Sequence, residues 1–124
     1  MQCTRNQTEE HTRAMRAVQD SMDILNGKWK IPIISSMCYY TERRFSDILS
    51  DVVGISNKML SKELKDLEIN QLVKRTVLAT QPVTVQYELT AHGKTLQTII
   101  LHLAAWGRAH HAKIFAPEPL KVAS

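Results

Sequence analysis

The segment GISNKMLSKELKDLEINQ, Gly54–Gln71, runs almost directly into VKRTVL, Val73–Leu78, and then VTVQYELT, Val83–Thr90. Its reading decides the fold. Leu60, Leu64 and Leu67 recur at i, i+4 and i+7, the spacing of one buried helical stripe. Ser56 stands just before that stripe, where a hydroxyl can accept an early backbone N–H as a helix N-cap. With the leucines inward, the opposite face carries Asn57, Lys58, Ser61, Lys62 and Lys65. In the last run Val83, Val85, Tyr87 and Leu89 alternate with Thr84, Gln86 and Glu88, the period of a strand with one buried face. Ala79-Thr80-Gln81-Pro82 links it to the strand before. A helix with amide, hydroxyl and ammonium groups on its outer face fits a DNA major groove. A hairpin beside it reaches the neighbouring backbone or minor groove.

Upstream, Ala14, Ala17, Val18, Met22 and Leu25 fall near helical spacing, and Asn26-Gly27 provides a C-cap. Trp29–Met37 reads as a second, buried helix, with Pro32 tolerated in its first turn. Arg43–Leu49 opens a third, short helix, with Phe45, Ile48 and Leu49 inward. A short strand near Arg43-Arg44 adds to the hairpin. Downstream, Thr90 caps a last helix that carries Leu96, Ile99, Ile100, Leu103, Trp106 and His110 on one face and runs to about Lys113. Residues 1–12 and 114–124 read as flexible tails, the first also able to extend the first helix, and residues 13–113 as one domain. The fold class is α+β, mainly α: a winged helix-turn-helix with long N- and C-terminal dimerisation helices.

The 124 residues suffice for one domain. Sixteen Lys and Arg against twelve Asp and Glu leave a charge of +4, compatible with a polyanionic partner but not diagnostic of one. The two cysteines, Cys3 and Cys38, make no disulfide framework. The N-terminus lacks the apolar core of a signal peptide, and no apolar run is long enough to span a bilayer. These features predict a cytoplasmic protein with no membrane partner.

The ordered series RRFSDIL (43–49), GISNKMLSKELKDLE (54–68), LVKRTV (72–77) and VQYELTAHGKTL (85–96) is similar to that of the HxlR-type winged helix-turn-helix transcriptional regulators, relatives of the MarR group. LNGKW (25–29) and AAWG (104–107) extend the likeness, which covers about residues 16–112. The resemblance implies a dimeric DNA-binding protein whose first and last helices make much of the interface. It also implies a redox or small-molecule effector. The family's usual cysteine, followed by proline, aligns with Arg16 here. Its frequent Pro-Pro-Arg at the wing tip is replaced by Pro82-Val83-Thr84.

The expected function is sequence-specific binding of double-stranded DNA by a homodimer on a palindrome-like operator, acting as a repressor. The alternative is a winged-helix module that binds proteins and not DNA. The expected DNA contacts are Arg43, Arg44, Ser46, Ser56, Asn57, Lys58, Ser61, Lys62, Lys65, Arg75, Thr80, Gln81 and Thr84. The expected dimer contacts are Met15, Val18, Met22, Leu96, Ile99, Ile100, Leu103, Trp106 and His110. Cys3 and Cys38 are redox candidates, although incidental thiols are the commoner case. The histidines lack the complementary ligands a metal site needs, so neither metal nor cofactor is expected. No nucleophile–base–orienter set is legible, so no enzyme is expected.

Overall fold

The leucine spacing of the Gly54–Gln71 segment is realised as α4, Asn57–Ile69. Ser56 Oγ accepts from the Met59 N–H at 3.1 Å, and Leu60, Leu64 and Leu67 are fully buried. The computed structural model describes residues 5–115. In order it holds α1 (Arg5–Ile24), α2 (Lys30–Met37), β1 (Arg43–Arg44), α3 (Phe45–Asp51), α4, β2 (Val73–Leu78), β3 (Thr84–Leu89), α5 (Ala91–Lys94) and α6 (Leu96–Phe115). The three strands form one antiparallel sheet in the order β1-β3-β2. The architecture is a mainly helical winged helix-turn-helix, with α3 and α4 as the two helices of the motif and β2–β3 as the wing.

The core is built where the stripes converge. Ile33, Ile34 and Met37 of α2, Ile48 of α3, the α4 leucines, Val73, Tyr87 and Leu89 of the sheet and Ile100 of α6 form one cluster. Fully burying one such side chain contributes on the order of 1.5–3 kcal/mol, so α4 is held mainly by its apolar stripe. That grip fixes which way its polar face points.

The end of α4 explains how the chain enters the wing. Gln71 has φ +62°, the left-handed region, with no glycine there. Its N–H bonds to Glu68 O and the next N–H, of Leu72, to Leu67 O, each at 3.0 Å, the paired bonds of a Schellman turn. Gly93 closes the other side. A Cβ on it would lie 2.1 Å from the Leu72 carbonyl oxygen.

Several boundaries differ from the sequence reading. Residues 5–12, expected as a flexible tail or as an extension of the first helix, belong to α1. This stretch contains neither glycine nor proline, so nothing in it stops a helix from propagating. The last helix extends to Phe115, and residues 116–124 of the expected C-terminal tail lie outside the described residues. The single helix expected after Thr90 is divided at Thr95, whose N–H turns back to His92 O at 3.1 Å. Trp29 is the residue preceding α2 rather than part of it, and β3 starts at Thr84 with Val83 exposed.

Candidate DNA interface

The helix period sorts the α4 side chains into three flanks. Directly opposite the buried leucines stand Lys58, Lys62 and Lys65, at i, i+4 and i+7, all exposed. Ser61 is exposed beside them, and Asn57 is exposed at the first helical position, where the end of the helix leaves it open to solvent. Four of the expected contacts, Lys58, Ser61, Lys62 and Lys65, therefore lie together on one solvent-facing surface, with Asn57 at its N-terminal end. Lys62 Nζ reaches Asp66 Oδ2 at 3.3 Å, an exposed i,i+4 pair. Such a pair is worth roughly 0–1 kcal/mol and yields readily to a stronger partner. Ser56 is exposed, but its hydroxyl is engaged in capping the helix.

Opposite flanks of α4 meet different neighbours. One flank faces the wing, where Arg75 is exposed on β2. The other faces α2. There Glu63, 6% exposed, is ion-paired with Lys30, 4% exposed. Lys30 Nζ also reaches Asn26 Oδ1 at 3.2 Å and Asp66 Oδ2 at 3.5 Å. The leucine period leaves Glu63 on the margin of the buried stripe, and nothing local in the sequence names its partner. The available signal was a charged residue at the margin of the leucine stripe, together with a lysine inside the apolar run WKIPII. Burial pushes the Asp66 carboxyl up, but Lys62 and then Lys30 outweigh it, and the net shift is downward.

The expected contacts outside α4 divide. Arg44 and Ser46 are exposed at the start of α3, where the Arg44 backbone N–H donates to Asp47 Oδ2 at 3.1 Å. Arg43 is different. Its guanidinium donates to Ser36 O at 3.0 Å, is ion-paired with Asp51 and lies 3.9 Å over the Tyr40 ring. An arginine so engaged ties the α2–α3 corner together. At the wing tip Gln81 is exposed, whereas Thr80 Oγ1 lies 2.6 Å from Pro82 O and 2.9 Å from Thr84 Oγ1. Those two hydroxyls close the loop on itself rather than facing outward unpartnered.

Met15, Val18 and Met22 of α1 and Ile99, Leu103 and Trp106 of α6 are exposed. Leu96 is half-buried against the core, and Ile100 belongs to the core itself. Ile100 is thereby removed from the expected dimer contacts, because α6 must pack against α2 through some residue and this one faces inward. His110 is exposed and stacks on Trp106, with ring centroids 4.9 Å apart.

Cys38 is half-buried, and burial pushes its thiol up. That is the opposite of the lowered value that makes a thiolate reactive. Cys3 lies outside the described residues. Among the described residues no three His, Cys, Asp or Glu side chains group as metal ligands, and no helix is long and apolar enough to cross a membrane.

Comparison with known proteins agrees with this geometry. A family model described as HxlR-like helix-turn-helix matches residues 24–115. The HTH-type transcriptional regulator YvaP of Bacillus subtilis is 36% identical over 101 residues, covering 82% of this chain and 89% of that one. A second Bacillus subtilis HTH-type regulator, YtcD, is 32% identical over 101 residues, covering 80% and 78%. Among solved structures, the redox regulator HypR in its reduced form superposes with a TM-score of 0.72 at 32% identity, covering 77% of this chain and 93% of that one.

Proposed function

The chain belongs to the HxlR-like helix-turn-helix family of transcriptional regulators, and from that premise we propose that it binds a palindrome-like operator as a homodimer and represses the adjacent gene. The observation that carries this reading is the α4 surface: Lys58, Ser61, Lys62 and Lys65 are exposed away from the leucines, and Asn57 is exposed at the N-terminal end of the helix. Asn57 is the candidate base reader, because a carboxamide matches the donor–acceptor pair of adenine in the major groove. Lys58, Lys62 and Lys65 supply the positive charge that binds phosphate, and Lys62 exchanges Asp66 for DNA. Arg44 and Ser46 at α3, and Arg75 and Gln81 on the wing, set the register of the domain on the duplex.

The exposed apolar faces of α1 and α6 support a two-fold assembly, since monomers rarely leave such surfaces to water. Two-fold symmetry would set two α4 helices into successive major grooves, about 34 Å apart. Residues 13–113 then form one functional unit. HypR is named a redox regulator. In this chain the half-buried Cys38, with its raised thiol, does not suit a direct oxidant sensor.

Salt titration of duplex binding tests the reading. A regulator using these lysines loses affinity steeply as salt rises, because bound counterions are released. Asn57→Ala should then flatten the preference between operator and random duplex, while Lys62→Ala should weaken both equally. Affinity that ignores salt, or absent binding at low salt, makes the chain a protein-binding module instead.

A further inference from the structure

Where α4 meets the wing, a cavity of about 230 Å³ is lined by Ser61, Lys65, Glu68, Arg75 and Tyr87. Ser61, Lys65 and Glu68 stand at i, i+4 and i+7, one stripe of the helix. Arg75 and Tyr87 are directly opposed in the β2–β3 register, which puts both side chains on the same face of the sheet. Three elements, α4, β2 and β3, thus bring residues bearing an ammonium, a guanidinium, a carboxylate and two hydroxyls to the lining of one cleft.

Most lysines and arginines among the described residues, Lys58 and Lys74 included, have no ion-pair partner. Lys30, Arg43 and Lys62 are each matched by a carboxylate. Among the described residues Lys65 and Arg75 have no ion-pair partner, although Glu68 lines the same cavity. The fold brings two cations without ion-pair partners and one carboxylate to the lining of the same cleft. Two cations and one carboxylate sum to a single positive charge, which matches the single negative charge of a phosphodiester. The volume also lies below the roughly 300–1,000 Å³ of pockets that enclose small organic ligands.

We propose that this cleft is an oxyanion seat that takes one phosphodiester group of the DNA backbone. The proposal rests on the DNA-binding reading and deepens it. Lys65 and Arg75 grip the same phosphate from the helix and from the wing, with Ser61 and Tyr87 as hydroxyl donors. The seat ties the angle between α4 and the hairpin to the position of the DNA backbone. It makes Lys65 a positioning contact distinct from the groove-facing Asn57.

The test is a double-mutant cycle on the full chain, with Lys65→Gln, Arg75→Gln and the pair combined. Both side chains are exposed, and superimposable melting curves check that each variant folds. Duplex affinity is measured across a range of salt. Releasing one phosphate lowers the slope of log K against log salt by about 0.9 and affinity at 0.1 M salt roughly tenfold. Each single variant is expected to show that loss, and the double variant no more than a single one, because one phosphate is surrendered once. A double variant that loses about twice as much slope holds two separate phosphates and overturns the seat. Unchanged slopes overturn it too. Inorganic phosphate supplies the second arm, added to the free protein and followed by the NMR signals of the two side chains. Saturable binding abolished in the double variant, with duplex slopes unchanged, assigns the cleft to free anions and overturns the DNA assignment. A wild-type chain without salt-dependent duplex binding overturns the DNA-binding reading and the seat together. A salt-dependent wild type with additive variants overturns the seat alone.

Discussion

Lys30 and Glu63, 33 residues apart in the chain, form an ion pair inside the molecule, at 4% and 6% exposure. The pair crosses from the start of α2 to the middle of the recognition helix. Asn26, just beyond the end of α1, shares the same ammonium at 3.2 Å. The pair therefore fixes the rotation of α4 about its own axis relative to α2. Breaking a buried pair leaves an uncompensated charge, whereas removing both partners often does little harm. Lys30→Met should destabilise the fold by about 3–5 kcal/mol, measured by urea denaturation. Lys30→Met combined with Glu63→Leu should regain most of that loss. A double variant as unstable as the single one would mean that the lysine acts through packing rather than charge.

Asp66 links this pair to the surface, because it touches both Lys30 and Lys62. Desolvation opposes its ionisation, but the two lysines prevail and hold it below its ordinary value of 3.8. A carboxylate depressed in the folded state adds stability above its unfolded pKa, and that stability is lost as pH falls through the folded value. The melting temperature of the wild type should decline from just above pH 4 downward. Asp66→Asn should flatten the part of that decline owed to this group while leaving the neutral-pH fold intact. An acid limb of identical slope in the variant would remove Asp66 from the account.

The turn between α4 and β2 stores a backbone cost at Gln71, φ +62°. Glycine adopts that conformation without the Cβ clash, which is worth roughly 1–2 kcal/mol. Gln71→Gly should raise stability by up to about 1 kcal/mol, since glycine also loses more entropy on folding. Nearby, Gly93→Ala should do the reverse. Its Cβ would sit 2.1 Å from a main-chain oxygen that cannot swing aside. Overpacking of this kind costs typically about 1–3 kcal/mol, and thermal melts of the two variants should move in opposite directions.

Trp106 is 64% exposed and Met22 63% exposed in the single chain. If a second copy covers them, Trp106→Glu should shift sedimentation velocity from dimer to monomer and lower operator affinity while leaving the single-chain fold in place. An unchanged sedimentation coefficient at micromolar protein would place the dimer contact, or the absence of one, elsewhere.

Local patterns in the sequence were sufficient for the helix-turn-helix and its wing. The leucine period of α4, the Ser56 and Thr90 caps and the alternation through Tyr87 and Leu89 are short-range features, and each is realised in the structure. The exposed side of α4 followed from the same period, because a helix that buries one stripe must present the other. What the order of residues did not determine was the fate of its charges. Arg43, Arg75 and Lys30 look alike as cations in a string. The tertiary structure pairs the first with Asp51, buries the third against Glu63 and leaves Arg75 unpaired beside Lys65. Those differences arise because electrostatic partners are chosen by distance in space, and the partner of Lys30 lies on another helix that packing alone brings within reach.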